Sequence, residues 1–483
     1  MKKSLLWMMI ILISLTLMSA FTISGCKKGT AAETSAAETT AAETTSAETR
    51  TAETTTAETT TGEKVTLRIA SFQGGYGREW LDEAIRLLKE KNPNVEVDLL
   101  FDPKIAEQLQ PMFVAGNPPD VVLPGGFFDR LGAILEGQFK PLDDLLNSKA
   151  IDKDMLFKDT FEKGTFTAAT FNGHTWYIPM WVSTYGWWYN ETIWNKNEWV
   201  PPKTWDEAYA LFDKMKAAGV GPIANQGIYP LYIRYTYLPE FIARLAGPQK
   251  FEACWNLKPN SWTDPEVVKA ISFIAELEKK YFQEGHLGMN HLQSQAEVMV
   301  GNAGMIACGN WFPKEEEQVW PEGSEIRAMP YPPFEESSYP QKVYVKDGDV
   351  WQMCVIPTEA KQPELAVEFY KILFSEQVQK FAVEKTGALT SYKDSAQWLP
   401  DNKFARAIKS TLEYYKDADY TIPQQEILDF SYPEIAKAID DNILKMFDDK
   451  ITPEQAAAAI QKAIDDYIAK PDAFIHEFKL GVE

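Results

Sequence analysis

The sequence predicts an α/β protein folded as two lobes behind a long N-terminal extension. Three observations carry this: a β-α-β-α-β pattern of apolar periodicity from Val65 to Leu123, about 420 residues beyond position 63, and no second low-complexity linker among them. A single hydrophobic core stops growing near ~250–300 residues, so a chain of this length divides.

The extension reads as an address followed by a tether. Lys2 and Lys3 precede an apolar run from Leu5 to about Ala20, which Ile23-Ser24-Gly25-Cys26 closes. The run is short and ends in small residues, the form of a secretory leader rather than a spanning helix. Small residues directly before a cysteine have the form of a bacterial lipoprotein cleavage site. Residues 1–25 are therefore expected to be removed, and Cys26 to carry the lipid. Residues 26–63 are rich in Thr, Ala and Glu, with glutamates at Glu33, Glu38, Glu43, Glu48, Glu53 and Glu58. Such a segment has nothing to bury, so it is expected to stay solvated and to span roughly 30 Å or more.

The folded part begins with strand alternation at Val65, Leu67 and Ile69, and the loop Gly74-Gly75-Tyr76-Gly77 follows. A helix from about Arg78 to Lys91 places Trp80, Ala84, Leu87 and Leu88 on one face and stops before Asn92-Pro93. Val95 to Phe101 reads as a second strand. A further helix leads to Asp120-Val121-Val122-Leu123, an apolar run typical of a parallel strand buried on both faces. In open α/β sheets, ligands sit beyond the carboxyl ends of the strands, which singles out the loops at Gly74–Gly77 and Gly125-Gly126. The remainder is more helical. Thr204 with Glu207, Thr263 with Glu266 and Thr452 with Gln455 are expected capping boxes, each with proline nearby.

Charge and cysteine usage narrow the function. The net charge is −21, and an acidic surface of this size repels nucleic acid. With Cys26 assigned to the lipid, Cys254, Cys308 and Cys354 remain, with no Cys-x-x-Cys spacing. They read as small buried thiols. Only four histidines are present, and the five-residue separation of His286 and His291 fits no usual zinc pairing, so no metal and no cofactor are expected. The chain lacks Gly-x-Ser-x-Gly, a phosphate loop and His-Glu-x-x-His. A glycosidase needs only two placed carboxylates, so the residues alone leave a secreted carbohydrate-active enzyme open. A wall-attached carbohydrate sensor or adhesion protein is the other alternative.

Aromatic residues make up 13% of the chain, and they bunch at Trp176-Tyr177, Trp181, Tyr185, Trp187-Trp188-Tyr189, Trp311-Phe312 and Trp351. At least half belong in a core; Gly186 to Tyr189 reads as a half-buried strand that buries alternate rings. Trp311 differs, lying between Gly309-Asn310 and Pro313, and Trp351 follows the turn Lys346 to Asp349. A pyranose presents an apolar C–H face and a rim of hydroxyls, which suits an aromatic plate flanked by amides such as Asn310 and Gln352.

Three stretches, Gly116-Asn117-Pro118-Pro119-Asp120-Val121-Val122, Pro179 to Asn190 and Gly304-Met305-Ile306-Ala307-Cys308-Gly309-Asn310-Trp311, resemble the family 1 extracellular solute-binding proteins of carbohydrate ABC importers. The resemblance runs from about Val65 to the C-terminus. Within that family the likeness is to the N-acetylglucosamine and diacetylchitobiose-binding lipoproteins, carried by His291-Leu292-Gln293-Ser294-Gln295, by Cys308 to Trp311 with Glu315-Glu316, and by Thr386-Gly387-Ala388-Leu389-Thr390. Many relatives have proline where Ala388 stands, and the chitobiose group shares the departure. The resemblance implies a two-lobed, periplasmic-binding-protein-like (type II) fold, each lobe a mixed sheet flanked by helices, with the ligand cleft between them. Residues 64–180 and 354–388 would form one lobe and 181–353 and 389–483 the other. It implies that Gln73, Gly74, Gly75, Tyr76, Gly125, Gly126, Trp181, Ser183, Tyr185, Tyr229, Asn310, Trp311, Trp351 and Gln352 line the cleft. It further implies a monomer that does no chemistry, held by its lipid to the outer face of the cell membrane, binding a mono- or oligosaccharide and working with ABC permease subunits.

Overall fold

Apolar alternation at the start of the folded chain produces a small parallel sheet. A computed structural model describes residues 64–73, 76–123, 130–348, 353–475, 477 and 479–480, all within one compact unit. The leader, Cys26 and the tether lie outside the described residues. Strands β1 (Val65–Phe72), β2 (Val95–Asp102) and β3 (Val121–Leu123) pair in the order β2-β1-β3, all parallel. The intervening helices are Glu79–Lys91 and Ile105–Val114, so the β-α-β-α-β expectation holds. The first helix buries Trp80, Leu81, Ala84 and Leu88, while Leu87 is only partly covered.

The Gly-Asn-Pro-Pro-Asp stretch has a structural task in this sheet. Asp120 is 1% exposed, and its carboxylate accepts the backbone N–H groups of Arg68 (2.9 Å), Lys361 (2.6 Å) and Gln362 (2.8 Å). One buried anion thus ties β1 to the start of a helix about 240 positions later, Pro363–Leu373. Three backbone hydrogen bonds satisfy the oxygens of this buried side chain. That helix and its successor, Glu376–Thr386, pack on Glu79–Lys91, and Tyr370 Oη donates to the Val355 carbonyl at 2.7 Å.

Strands β4 (Thr170–Phe171) and β5 (His174–Thr175) form a small hairpin, and β6 (Ile178–Pro179) follows. The chain then enters the second sheet through β7 (Val182–Asn190), joined by β8 (Gly221–Ala224), β9 (Ala303–Gly309), β10 (Ile326–Met329) and β11 (Val343–Gly348). It comes back beside the first sheet in β12 (Met353–Cys354), which pairs with β6, and Val355 bridges Val122 of β3. It leaves again at Gly387, a helix C-cap with φ 70° that only glycine adopts without strain, and later supplies β13 (Tyr420–Ile422). The order β13-β11-β7-β9-β8, with β10 also paired to β7, makes a mixed sheet. The outgoing crossings are pinned together: Trp181 bridges Thr390, the Val182 N–H donates to the Leu389 carbonyl (2.9 Å), and the Ser391 N–H to that of Met180 (3.1 Å).

β7 departs from the half-buried expectation. Every residue from Val182 to Asn190 is buried, because helices cover both sheet faces. Tyr185, Trp187 and Tyr189 enter one core beside Trp205, Phe212 and Tyr237, while Val182 and Trp188 enter another beside Ile306 and Phe312. Both indole N–H groups are satisfied, Trp187 Nε1 donating to Tyr237 Oη (2.7 Å) and Trp188 Nε1 to the Cys308 carbonyl (2.9 Å). Cys254, Cys308 and Cys354 are free and buried, and burial pushes their thiols upward.

The expected caps divide. Thr452 and Gln455 form the reciprocal box. Thr204 accepts from the Glu207 N–H, but the Glu207 carboxylate takes the Lys203 N–H instead of closing the box. The third is corrected: Asp264, not Thr263, caps Pro265–Tyr281, because proline occupies the first helical position and the aspartate immediately before it accepts the Glu266 N–H at 2.9 Å. No helix among the described residues is long and apolar enough to cross a membrane.

Candidate functional site

On the first lobe, the loop after β1 is held by Trp80, whose Nε1 donates to the Gly77 carbonyl at 3.1 Å. Gln73 is exposed, and its N–H donates to the Asp102 carbonyl at 3.2 Å. The half-buried Tyr76 ring leans on Trp181, centroids 4.5 Å apart, and Trp181 meets Trp80 edge-on at 5.6 Å. At 1% exposure Trp181 is therefore the support behind Tyr76 rather than an open plate, and its Nε1 has no partner among the described residues.

On the second lobe, the half-buried indole of Trp311 stands at the carboxyl end of β9. Glycine at 309 makes this possible: a Cβ there would lie 2.1–2.5 Å from three carbons of the Trp311 benzo ring. The ring meets Tyr185 edge-on at 5.5 Å and Tyr232 at 6.4 Å. Tyr185 is fully buried, with its backbone gripped from behind, its N–H donating to Tyr415 Oη (2.9 Å) and its carbonyl accepting from Tyr414 Oη (2.6 Å). Asn310 donates through Nδ2 to the Val182 carbonyl at 3.0 Å, while its buried Oδ1 has no partner among the described residues. Ser183 is buried opposite Asp347 in the β7–β11 register.

Tyr229 is 38% exposed and faces His291 at 5.5 Å. Its loop is anchored from below: the Gly227 N–H donates to the His286 carbonyl (3.0 Å), that of Ile228 to Met289 (3.1 Å), and Asn225 Nδ2 meets His286 Nδ1 (2.9 Å). A side chain at Gly227 would run into the Leu287 backbone at 2.3 Å.

Sequence reasoning did not assign Tyr232, His291, Gln295 or Glu315 to the site. Gln295 Nε2 donates to a Glu315 carboxylate oxygen at 3.0 Å. Burial raises the Glu315 carboxyl above its ordinary range, against the opposing pull of Gln295 and His291. The signal for three of them was present in the His291–Gln295 and Glu315-Glu316 stretches that carried the resemblance. Gly74, Gly75, Gly125, Gly126, Trp351 and Gln352 lie outside the described residues. Among the described residues, no group of three His, Cys, Asp or Glu could hold a metal.

Aromatic faces with amides and carboxylates beside them bind polar molecules that carry an apolar face. The profile of the bacterial extracellular solute-binding proteins matches residues 74–380. The chain belongs to this family. Among curated solute-binding relatives, the diacetylchitobiose binding protein NgcE of Streptomyces coelicolor is 28% identical over 272 residues, 55% of this chain and 56% of that protein. The chain thus matches little more than half of that relative's length. A probable sugar-binding periplasmic protein of Mesorhizobium japonicum is 26% identical over 295 residues, covering 60% of this chain and 67% of the relative. Among solved structures, a chitin oligosaccharide binding protein superposes with a TM-score of 0.67 at 19% identity, covering 85% of this chain and all of that one. Apo RafE from Streptococcus pneumoniae gives 0.68 at 17% identity, covering 84% and 98%. At these identities the structures establish the two-lobed solute-binding fold.

Proposed function

We propose that this chain is the substrate-binding lipoprotein of a carbohydrate ABC importer. It captures N-acetylglucosamine, chitobiose or a related short oligosaccharide and hands it to the permease without chemical change. The observation that carries the reading is the half-buried Trp311 indole seated over Gly309 beside Tyr185 and Tyr232, with Asn310 next to it in sequence. Sugar rings stack on such plates through their C–H faces while amides and carboxylates meet the hydroxyls. The names of the chitobiose- and chitin oligosaccharide-binding relatives support the amino-sugar assignment.

The lobes divide at 180/181, 353/354 and 388/389, so that three crossings serve as the hinge. A ligand touching both lobes only when they close shifts the population toward the closed form, which the permease reads. The loops at Gln73–Tyr76 and Gly125-Gly126 and the segment Trp351-Gln352 complete the cleft. Cys26 carries the anchor, and the tether keeps the binder close to its permease.

A thermal-shift panel followed by calorimetry tests this. N-acetylglucosamine or chitobiose is expected to raise Tm by mass action and to be recovered intact. Silence toward both amino sugars together with a response to a plant disaccharide overturns the specificity. Cleavage of chitobiose overturns the binding-only reading.

A further inference from the structure

A second recess lies at the hinge itself and shares none of the aromatic residues above. It is a groove of about 660 Å³, walled by the first-lobe loop 162–167, by Pro179, Val182 and Ser391 of the crossings, by the end of β11 and the 420–423 segment, and by the C-terminal Lys479. Along β7, Val182 shares its face with Thr184, whose hydroxyl meets Thr411, whereas Tyr185 points to the opposite face and to Trp311.

Three lysines from three separate segments converge on this groove: Lys163, Lys346 and Lys479. None forms an ion pair among the described residues, in a chain with 69 acidic against 48 basic side chains. Two carboxylates share the groove with them, and Glu477 lies near Lys479. Glu162 accepts the Asp394 N–H at 2.8 Å, and Asp347 is fully buried within the strand pair. Two hydroxyls in the wall, Ser391 Oγ and Tyr420 Oη, are shielded from solvent and have no hydrogen-bond partner among the described residues. A hydroxyl without a partner is an unused donor. Three gathered lysines repel one another, and an anion of high charge density reverses the sign of that interaction.

We propose that this groove binds a phosphate-bearing anion that bridges Lys163 on one lobe to Lys346 and Lys479 on the other. The volume is that of a small-ligand site. Inorganic pyrophosphate is the probe, titrated calorimetrically into the full-length protein at constant ionic strength. It is expected to bind, with apparent Kd weakened at least tenfold in the triple variant Lys163→Gln, Lys346→Gln, Lys479→Gln. The single exposed-loop change Lys163→Gln is expected to weaken it about threefold and guards against a folding defect in the triple variant. A second arm sediments the protein with phosphatidylglycerol or phosphatidylcholine vesicles. Co-sedimentation only with the former, abolished by the triple variant and by pyrophosphate, assigns the phosphate to a lipid headgroup. Absence of binding, equal binding by the variants, or heats reproduced by sodium chloride overturn the proposal. Chitobiose affinity of the same variants reports separately on the importer reading, because none of the three lysines belongs to the aromatic site.

Discussion

Gly309→Ala probes the plate without touching any group that meets a ligand. The added Cβ would lie 2.1, 2.4 and 2.5 Å from three Trp311 ring carbons, where ordinary contact begins near 3.4 Å. The obstacle is a rigid ring, so the indole must move by about 1 Å or more, away from Tyr185 and Tyr232. Overpacking of this kind costs about 1–3 kcal/mol, and each lost ring pairing about 0.5–1.5 kcal/mol. If half of that penalty falls on the bound state, the loss is about 1.4 kcal/mol, or tenfold in affinity. Calorimetric titration with chitobiose reads the affinity, and tryptophan emission reads the indole environment. An affinity within twofold of the parent, with unchanged emission, would refute the claim that glycine seats the plate.

Phe430 stands on the helix Gln424–Ser431 yet packs 5.2 Å from Tyr177 and 6.1 Å from Phe171 of the first lobe, while neighbouring Asp429 pairs with Arg234 of the second at 3.0 Å. On the proposed division into lobes, Phe430→Ala removes an interlobe contact, so Tm falls, and small-angle scattering of the unliganded protein is expected to show a larger radius of gyration. Asp120→Ala leaves three half-buried N–H donors without their acceptor and is expected to cost about 1–3 kcal/mol in urea unfolding. Glu240, paired with Arg244 at 2.6 Å, is pushed up to about 7 by burial, with Arg244 opposing. The fold then holds a proton that the unfolded chain releases, so this group's stability is fully present below about 4.5 and is lost as pH rises through about 7. Glu240→Gln removes that dependence, and its stability relative to the parent should improve by about 2.5 kcal/mol between pH 5 and pH 8; parallel pH curves would sink the assignment.

The first lobe was legible because its signals are local. Alternation at Val65–Ile69 and the stop at Asn92-Pro93 act within a few residues and were read nearly to the residue. β7 was misread because burial on both faces is a property of the helices around it, not of its own alternation. The same holds for the cap at Asp264, where two adjacent cap-forming side chains compete and proline decides. At the site, Gly309-Asn310-Trp311 declared itself through its turn chemistry. Tyr232 did not, since it acquires its place by packing against Trp311, far along the chain, while the Gln295–Glu315 pairing depends on a fold that neither stretch shows by itself. Nothing local distinguishes Phe430 from any other core phenylalanine.

The Asp120 carboxylate waits for Lys361 and Gln362, and the Val122 N–H and carbonyl for their partners on Val355. As the chain emerges from its N-terminus, the parallel sheet is therefore complete in sequence long before it can be complete in structure. Every residue from β7 through β11 must be made first, and contacts of such separation form slowly. The intervening lobe can close its own core in part, but the first stays an unfinished half-sheet with apolar surface uncovered. A chain built in this order keeps its first sheet incompletely packed until the segment around Val355 to Gln362 has been made.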